Sequence, residues 1–251
     1  MIPHDDRGLL LGDGLFETLL ARDGVLMRLE AHLDRMAAGC AVLGLPAPDR
    51  GEATVLMRRA LAGVEAPRVA VRLTLTAGSG GRGLDRPTPV APRLFATAAP
   101  SAIPDQPARL ALARTRRNDG SPAARIKSLS YLDNVLARAE ARSVGADEAV
   151  MLNSRGEIAC ATAANIFWVS EGRLWTPALD CGALAGIARG EVMARAQGLG
   201  IEVAVARAGP QALERAQAIF LTNSLIGLRP VAAFGDRVLA PHPLADRLAL
   251  N

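Results

Sequence analysis

The chain of 251 residues is half hydrophobic and 22% charged, which indicates a folded protein with a sizeable core, in one large or two small domains. No apolar run reaches the roughly 18–20 residues of a membrane span, and the N-terminus lacks the pattern of a signal peptide, so we expect a cytoplasmic protein without a membrane partner. The net charge is +4, but the arginines stand beside acids along the chain and aromatics are only 3%, which argues against a nucleic-acid-binding protein. Cys40, Cys160 and Cys181 have neither the spacing of a disulfide framework nor that of a metal site.

The N-terminal part of the chain begins with a predicted hairpin and two helices. In residues 14–29, "GLFETLLARDGVLMRL", an "RDG" turn separates two apolar strands. Residues 29–45 place leucine, methionine and cysteine at helical spacing and end at glycine and proline, and residues 52–64 predict a second helix.

Strands follow these helices. Residues 68–78, "RVAVRLTLTAG", alternate between apolar and polar as a strand does, and residues 92–99 and 108–114 are its expected partners. We therefore predict an α+β domain over residues 1–115, built on an antiparallel sheet.

A polar stretch rich in turn formers, "RRNDGSPA" at 116–123, is the best candidate for an interdomain linker, so that a second domain would span 124–251. An amphipathic helix is predicted over 130–143. Beyond it, residues 148–177 have strand–turn–strand character, and further helices precede a strand at 218–231, "AIFLTNSLIGLRPV".

The chain contains one lysine. Lys and Arg together number 29, so Lys127, in "ARIKSLSYLDNVLARAEARS", stands against 28 arginines. Arginine serves surface charges and salt bridges equally well, but it cannot become a neutral, nucleophilic amine. Lysine can, and a Schiff base to a carbonyl is the commonest use of such an amine. Lys127 is therefore a candidate catalytic residue, although composition bias alone would also leave a single lysine.

Six motifs in order resemble the class IV aminotransferase family, the fold-type IV pyridoxal-phosphate enzymes. They are "DRGLLLGDGLFETLL" (6–20), "HLDRM" (32–36), "RIKSLSYLDN" (125–134), "ANIFWV" (164–169), "GALAGIARG" (182–190) and "LTNSLIGLRPV" (221–231). The resemblance implies an α+β/α/β fold of two domains with pyridoxal 5′-phosphate (PLP) between them, a small-molecule amine substrate and a homodimer.

The same resemblance implies roles for individual residues. Lys127 would hold PLP covalently and then move the substrate proton. Arg35 would bind the phosphate, a task that suits a guanidinium fork. The remaining implied cofactor-binding residues are Cys160, Ala164, Asn165, Gly186, Ile187, Ala188 and Ser224. Among these, Ile187 and Ala188 would offer backbone N–H groups at a helix N-terminus, which favours anions, although the family often has threonine at position 188.

Cys160 departs from the family. Counting back five residues from Asn165, the family usually has glutamate, which keeps the pyridine nitrogen protonated so that the ring acts as an electron sink. A thiol is a weak partner for that nitrogen. Glu157 is expected to point to the opposite strand face and is a poor substitute. The chain would thus work with a weaker sink, or its activity is reduced or changed.

The reaction itself stays open among family members. The segment "SGGRG", with Arg82 as a candidate for substrate carboxylates, resembles the aminodeoxychorismate lyases, which convert 4-amino-4-deoxychorismate to 4-aminobenzoate and pyruvate. Ala77, Leu84 and Ser130 depart from their pattern. Thr18 and Tyr131 are further catalytic or positioning candidates. An amino-acid aminotransferase is the alternative, and a PLP-binding protein with lost or altered catalysis is a third.

Overall fold

The computed structural model describes residues 2–250, and contacts between Cα atoms divide it into two units. Unit 1 comprises Met1–Ile103 together with Ile126–Ser130, and unit 2 comprises Pro104–Arg125 and Tyr131–Asn251. None of the helices in this part of the chain is long and apolar enough to cross a membrane.

Unit 1 is a four-stranded antiparallel sheet with helices packed on one face. Its strands run in the order β2-β1-β3-β4. The elements are α1 Arg7–Leu11, β1 Gly14–Arg22, β2 Val25–Leu26, α2 Leu29–Leu43, α3 Arg50–Ala62, β3 Arg68–Thr76 and β4 Arg93–Pro100. Alternate residues of β1 and β3, such as Leu19 and Val71, face α2 and α3 and form a buried core with Met36 and Met57. The hairpin that the "RDG" turn predicts is confirmed, because β1 pairs with β2 across that turn.

A short segment that contains the lysine adds to the start of β1. The backbone N–H of Phe16 donates to the carbonyl of Lys127 at 2.9 Å, and the N–H of Leu129 donates to the carbonyl of Gly14 at 3.0 Å. Leu15 and Ser128 form an antiparallel bridge between these bonds. The lysine is thereby fixed in register with strand β1.

Unit 2 is a nine-stranded mixed sheet with helices. The strand order is β10-β9-β8-β11-β12-β5-β6-β7, and β13 pairs with β12. The strands are β5 Ala108–Leu112, β6 Glu148–Leu152, β7 Ile158–Ala161, β8 Asn165–Ser170, β9 Arg173–Pro177, β10 Val203–Ala206, β11 Ala218–Asn223, β12 Gly227–Phe234 and β13 Arg237–Val238. The helices are α4 Leu132–Ser143, α5 Ile187–Gly198, α6 Gln211–Glu214 and α7 Leu244–Arg247.

Two helices of unit 2 cover different strands. The alanine-rich face of α4, including Ala137 and Ala141, packs on β6 and β7. Helix α5 instead packs through Val192 and Ala196 on Phe167 and Phe220 of the neighbouring strands β8 and β11. The start of α5 is therefore held at one end of those two strands.

The structure divides the chain differently from the sequence-based domains. Residues 108–114 do not pair with β3, so that expectation is wrong: β5 runs parallel to β6 and β12 in the sheet of unit 2. The stretch 116–123 also lies within unit 2, because its Arg117 is buried and donates to the carbonyls of Gly182 and Ala124 and to the side chain of Asn134. The position of the cofactor between two domains stays a prediction.

Gly14→Ala is expected to destabilise the protein, because a Cβ at position 14 would stand 2.2 Å from the carbonyl oxygen of Leu75 and 2.9 Å from the side chain of Leu129. The loss of unfolding free energy should be about 1–3 kcal/mol, measured by urea denaturation. Gly81→Ala is the control, since nothing lies within 4 Å of its added Cβ. Equal stability of the two variants would contradict the close packing of β3 and of the lysine segment around Gly14.

Candidate active site

The only amine side chain of the chain lies over an aromatic ring. The Nζ of Lys127 is 4.1 Å from the centroid of the Phe16 ring, and the guanidinium carbon of Arg72 is 3.7 Å from the same centroid. Thr18 shares the strand face of Phe16, and its Cα partner in β3 is Arg72. One face of the unit 1 sheet thus combines an amine, a guanidinium, a ring and a hydroxyl.

The opposite face of β1 holds a buried ion cluster. The Glu17 carboxylate accepts from Arg35 Nε at 2.8 Å and Arg35 Nη2 at 2.6 Å, and it bonds His32 Nδ1 at 2.7 Å. Burial would raise the pKa of Glu17, but the bonds from Arg35 and His32 outweigh it, and the pKa is lowered. Burial lowers the pKa of His32, and the charges of Arg35 and Lys127 add to this effect against the raising effect of Glu17. The ring is therefore neutral and donates from Nδ1.

Arg35 is thus anchored before any ligand arrives. The two bonds to Glu17 are parallel, which fixes the plane of the guanidinium. Its side chain stays partly exposed, whereas Glu17 is buried. The predicted contact of Arg35 with the cofactor phosphate stays a prediction.

In unit 2, helix α5 begins at Ile187, directly after a glycine whose replacement would displace the side chain of Asn165. A Cβ on Gly186 would lie 1.9 Å from Asn165 Oδ1, while Asn165 Nδ2 donates to the carbonyl of Leu184 at 2.9 Å. Within residues 2–250 no side chain caps the helix. The N–H groups of Ile187 and Ala188 have no acceptor within the helix, an arrangement that favours anions. Their predicted contact with the cofactor phosphate stays a prediction.

Cys160 lies buried on β7 among the side chains of Ala137, Ala141 and Met151. Burial raises the pKa of its thiol; the charge of Arg117 lowers it, and that of Glu148 raises it further. The Glu148 carboxylate is itself paired with Arg138 at 2.8 Å. The thiol is therefore protonated at neutral pH and carries no negative charge.

The other predicted residues have varied positions. Ala164 is buried where β7 turns into β8, and its carbonyl accepts from Ala161. Ser224 lies in the turn after β11, and Tyr131 immediately precedes α4. Arg82 lies in the loop after β3 and lines a surface cavity with His4, Asp5 and Leu10, a cavity whose lining does not include Lys127.

Four residues near these groups were missed from sequence: Arg72, His32, Arg189 and Thr222. A signal existed for Arg72, because period-two alternation places it on the strand face opposite Leu73. His32 shares "HLDRM" with Arg35, one helical turn earlier. The other two are buried in unit 2, and their surroundings depend on strand pairing that is distant in sequence.

Comparison with known proteins identifies the family of the chain. The model of the amino-transferase class IV family matches residues 14–234. The chain belongs to this family. Two relatives are an aminodeoxychorismate lyase of Vibrio harveyi, 30% identical over 92% of this chain and 86% of the relative, and a D-alanine aminotransferase of Listeria monocytogenes, 30% identical over 90% and 80%. The crystal structure of 4-amino-4-deoxychorismate lyase from Pseudomonas aeruginosa is 33% identical, covers 99% of this chain and 93% of its own, and superposes with a TM-score of 0.89.

As a member of the amino-transferase class IV family the chain is an enzyme, and its cofactor is PLP. Its residues fit that group. One lysine is available for the covalent bond, and the start of α5, closed to any side chain at Gly186, suits a phosphate. The fit is incomplete at Cys160, where the family resemblance predicts a carboxylate and the chain has a neutral thiol.

Glu17→Gln should destabilise the protein by about 3 kcal/mol at pH 7, because it leaves the Arg35 guanidinium without its carboxylate. The pKa of Glu17 is lowered in the fold, so its stabilisation is present above the ordinary value of 4.5 and is lost as the pH falls through the folded value. Urea unfolding of the wild type between pH 7 and about pH 3 should show this loss, and the variant should show less of it. Glu30→Gln, at an exposed position on α2, the helix that carries Arg35, is the control. A pH profile of Glu17→Gln parallel to that of the wild type would contradict the ion cluster.

Proposed function

We propose that the protein is a PLP-dependent lyase that converts 4-amino-4-deoxychorismate to 4-aminobenzoate and pyruvate. When bound, PLP supplies an electrophilic carbonyl and a conjugated ring that withdraws electrons from the substrate's amine-bearing carbon. Lys127 is the residue that would hold this carbonyl covalently, and its free amine would take the proton from the substrate ring carbon as general base.

The neutral thiol of Cys160 is the observation that carries the choice of reaction. Buried among alanines, it offers the ring nitrogen of the cofactor no negative charge that would hold a proton there. Transamination depends on a strong electron sink, whereas loss of enolpyruvate from this substrate is driven by formation of an aromatic ring. A weak electron sink therefore slows the lyase reaction less than it slows transamination.

Positive charge around Lys127 suits the substrate. Aminodeoxychorismate carries two carboxylates, and Arg72 lies on the same ring as Lys127, at 3.7 Å from its centroid. Its guanidinium can donate two hydrogen bonds to one carboxylate while the substrate amine reaches the cofactor. Thr18, beside Arg72 on the neighbouring strand, can donate to the same carboxylate.

The second candidate is an amino-acid aminotransferase. The likeness to a D-alanine aminotransferase over 90% of the chain favours it. The same lysine would then move a proton between the α-carbon and the cofactor carbon, and the same guanidinium would hold the α-carboxylate. Neither the fold nor Lys127 separates the two reactions, so the separation must come from an assay.

The deciding assay incubates the PLP-loaded protein with aminodeoxychorismate in the absence of any keto acid. Pyruvate and 4-aminobenzoate should form in equal amounts, and Lys127→Arg should abolish the reaction, because a guanidinium cannot lose its proton. Turnover only with a keto-acid acceptor would overturn the lyase in favour of the aminotransferase. PLP binding without turnover in either assay would indicate a PLP-binding protein that has lost catalysis.

Cys160→Glu tests the weak sink directly. The carboxylate should give the ring nitrogen a partner and raise transamination of amino acids by about tenfold or more relative to the wild type, with a smaller change in the lyase rate. Cys160→Ser, which keeps a neutral side chain of similar size, is the control. Equal transamination by both variants would contradict the role given to the thiol.

A further inference from the structure

Arg189 is a buried cation without a buried anion. It lies in the first turn of α5 with 8% of its surface exposed. Its Nε donates to Thr176 Oγ1 at 3.3 Å and its Nη2 to the carbonyl of Pro177 at 3.1 Å, and both acceptors are neutral. Among residues 2–250 no carboxylate lies within ion-pair distance of it. Burial lowers the pKa of this guanidinium, and no acidic neighbour offsets that effect.

Other buried arginines of the chain are better compensated. Arg7 pairs with Asp13 at 2.9 Å, and Arg117 has three hydrogen-bond acceptors in place of a carboxylate. Burial of a charge is costly unless a partner of opposite sign or a full set of hydrogen bonds is present. The weakly compensated charge of Arg189 would therefore be stabilised by an anion bound nearby.

The place for that anion is the start of α5. The Cβ of Arg189 lies 3.4 Å from where a Cβ on Gly186 would stand, so Arg189 belongs to the same turn as the N–H groups of Ile187 and Ala188. Its guanidinium reaches from this turn to Thr176 and Pro177 at the end of β9. The helix has 12 residues, and its dipole places partial positive charge at this end. Two sources of positive potential thus coincide there.

A second, independent group points to a ligand at this end. The hydroxyl of Thr222 is fully buried and has no hydrogen-bond partner within residues 2–250. Thr222 shares the strand face of Phe220, on which α5 packs, and its Cα partner is Asn165, the residue that touches Gly186. A buried donor without an acceptor costs free energy, which an oxygen-rich ligand would recover.

We propose that Arg189 and Thr222 are positioning residues for a phosphate monoester bound at the start of α5. Arg189 acts through its charge behind the first turn, without contact with the ligand. Thr222 supplies, directly or through one water molecule, a hydroxyl donor on the strand side. The identity of the ester as the cofactor rests on the proposed function. Binding of phosphate at this site can be measured independently of that function.

The experiment uses the full chain freed of cofactor and measures the dissociation constants of inorganic phosphate and of PLP by calorimetry. Arg189→Met should weaken both by about tenfold or more, as expected for loss of a nearby buried charge, and Arg189→Lys should recover most of the affinity. Thr222→Val should weaken phosphate binding severalfold while the unliganded protein stays as stable as the wild type or becomes more stable, because the hydroxyl has no partner to lose. Arg195→Met, at an exposed position in the last turn of α5, should change neither constant.

A folded Arg189→Met protein with wild-type affinity for phosphate would overturn the inference and leave the proposed function standing. Should that variant not fold, Thr222→Val decides: unchanged phosphate affinity overturns the inference. A third outcome separates the two proposals. If the variants bind phosphate more weakly but the wild type forms no covalent bond with PLP, the phosphate site is supported and the proposed function is not. The wild type could also bind PLP but no inorganic phosphate. If Arg189→Met then binds PLP with the same dissociation constant as the wild type, the inference is overturned.

Discussion

Two backbone hydrogen bonds hold the only lysine of the chain against strand β1, and the chemistry of unit 1 depends on them. They join Lys127 to Phe16 and Leu129 to Gly14. A shift of one residue in this pairing would exchange the two faces of the segment and remove the amine from the ring of Phe16. The same register puts Glu17 on the opposite face, where the Arg35 guanidinium neutralises it and the neutral His32 ring donates a hydrogen bond to it, so the position of the amine and the burial of the ion cluster have one cause.

Arginine supplies the positive charges of this protein except one, and the single lysine is the candidate for covalent chemistry. Arg35 pairs with Glu17, Arg117 donates to the carbonyl of Ala124 in the loop before Lys127, and Arg189 lies in the first turn of α5. A guanidinium keeps its charge at these places, whereas an amine could lose it. The charge that is missing is negative. At Cys160 a protonated thiol stands where the family resemblance predicts a carboxylate, so the cofactor ring would receive its electronic support from elsewhere or work without it.

Helices and hairpins were predictable because their signals are local. The apolar spacing predicted helices at the positions of α2, α3 and α4, and the "RDG" turn predicted the β1–β2 hairpin. Family motifs led to Lys127 and to the start of α5. The partners of β5 were not predictable, because an apolar run does not say which strand it joins, and the same holds for Thr222, whose missing acceptor appears only after β8 and β11 pair. Arg72 was missed since nothing in one strand shows which ring lies beside it.

The most direct test of this account is to identify the atom that PLP modifies. The protein loaded with PLP is reduced with borohydride, digested, and mapped by mass spectrometry. The account predicts one pyridoxyl phosphate group per chain, on the peptide that contains Lys127, which is the only lysine among the 251 residues. Label found solely on the N-terminal amine, or no label after reduction, would contradict it.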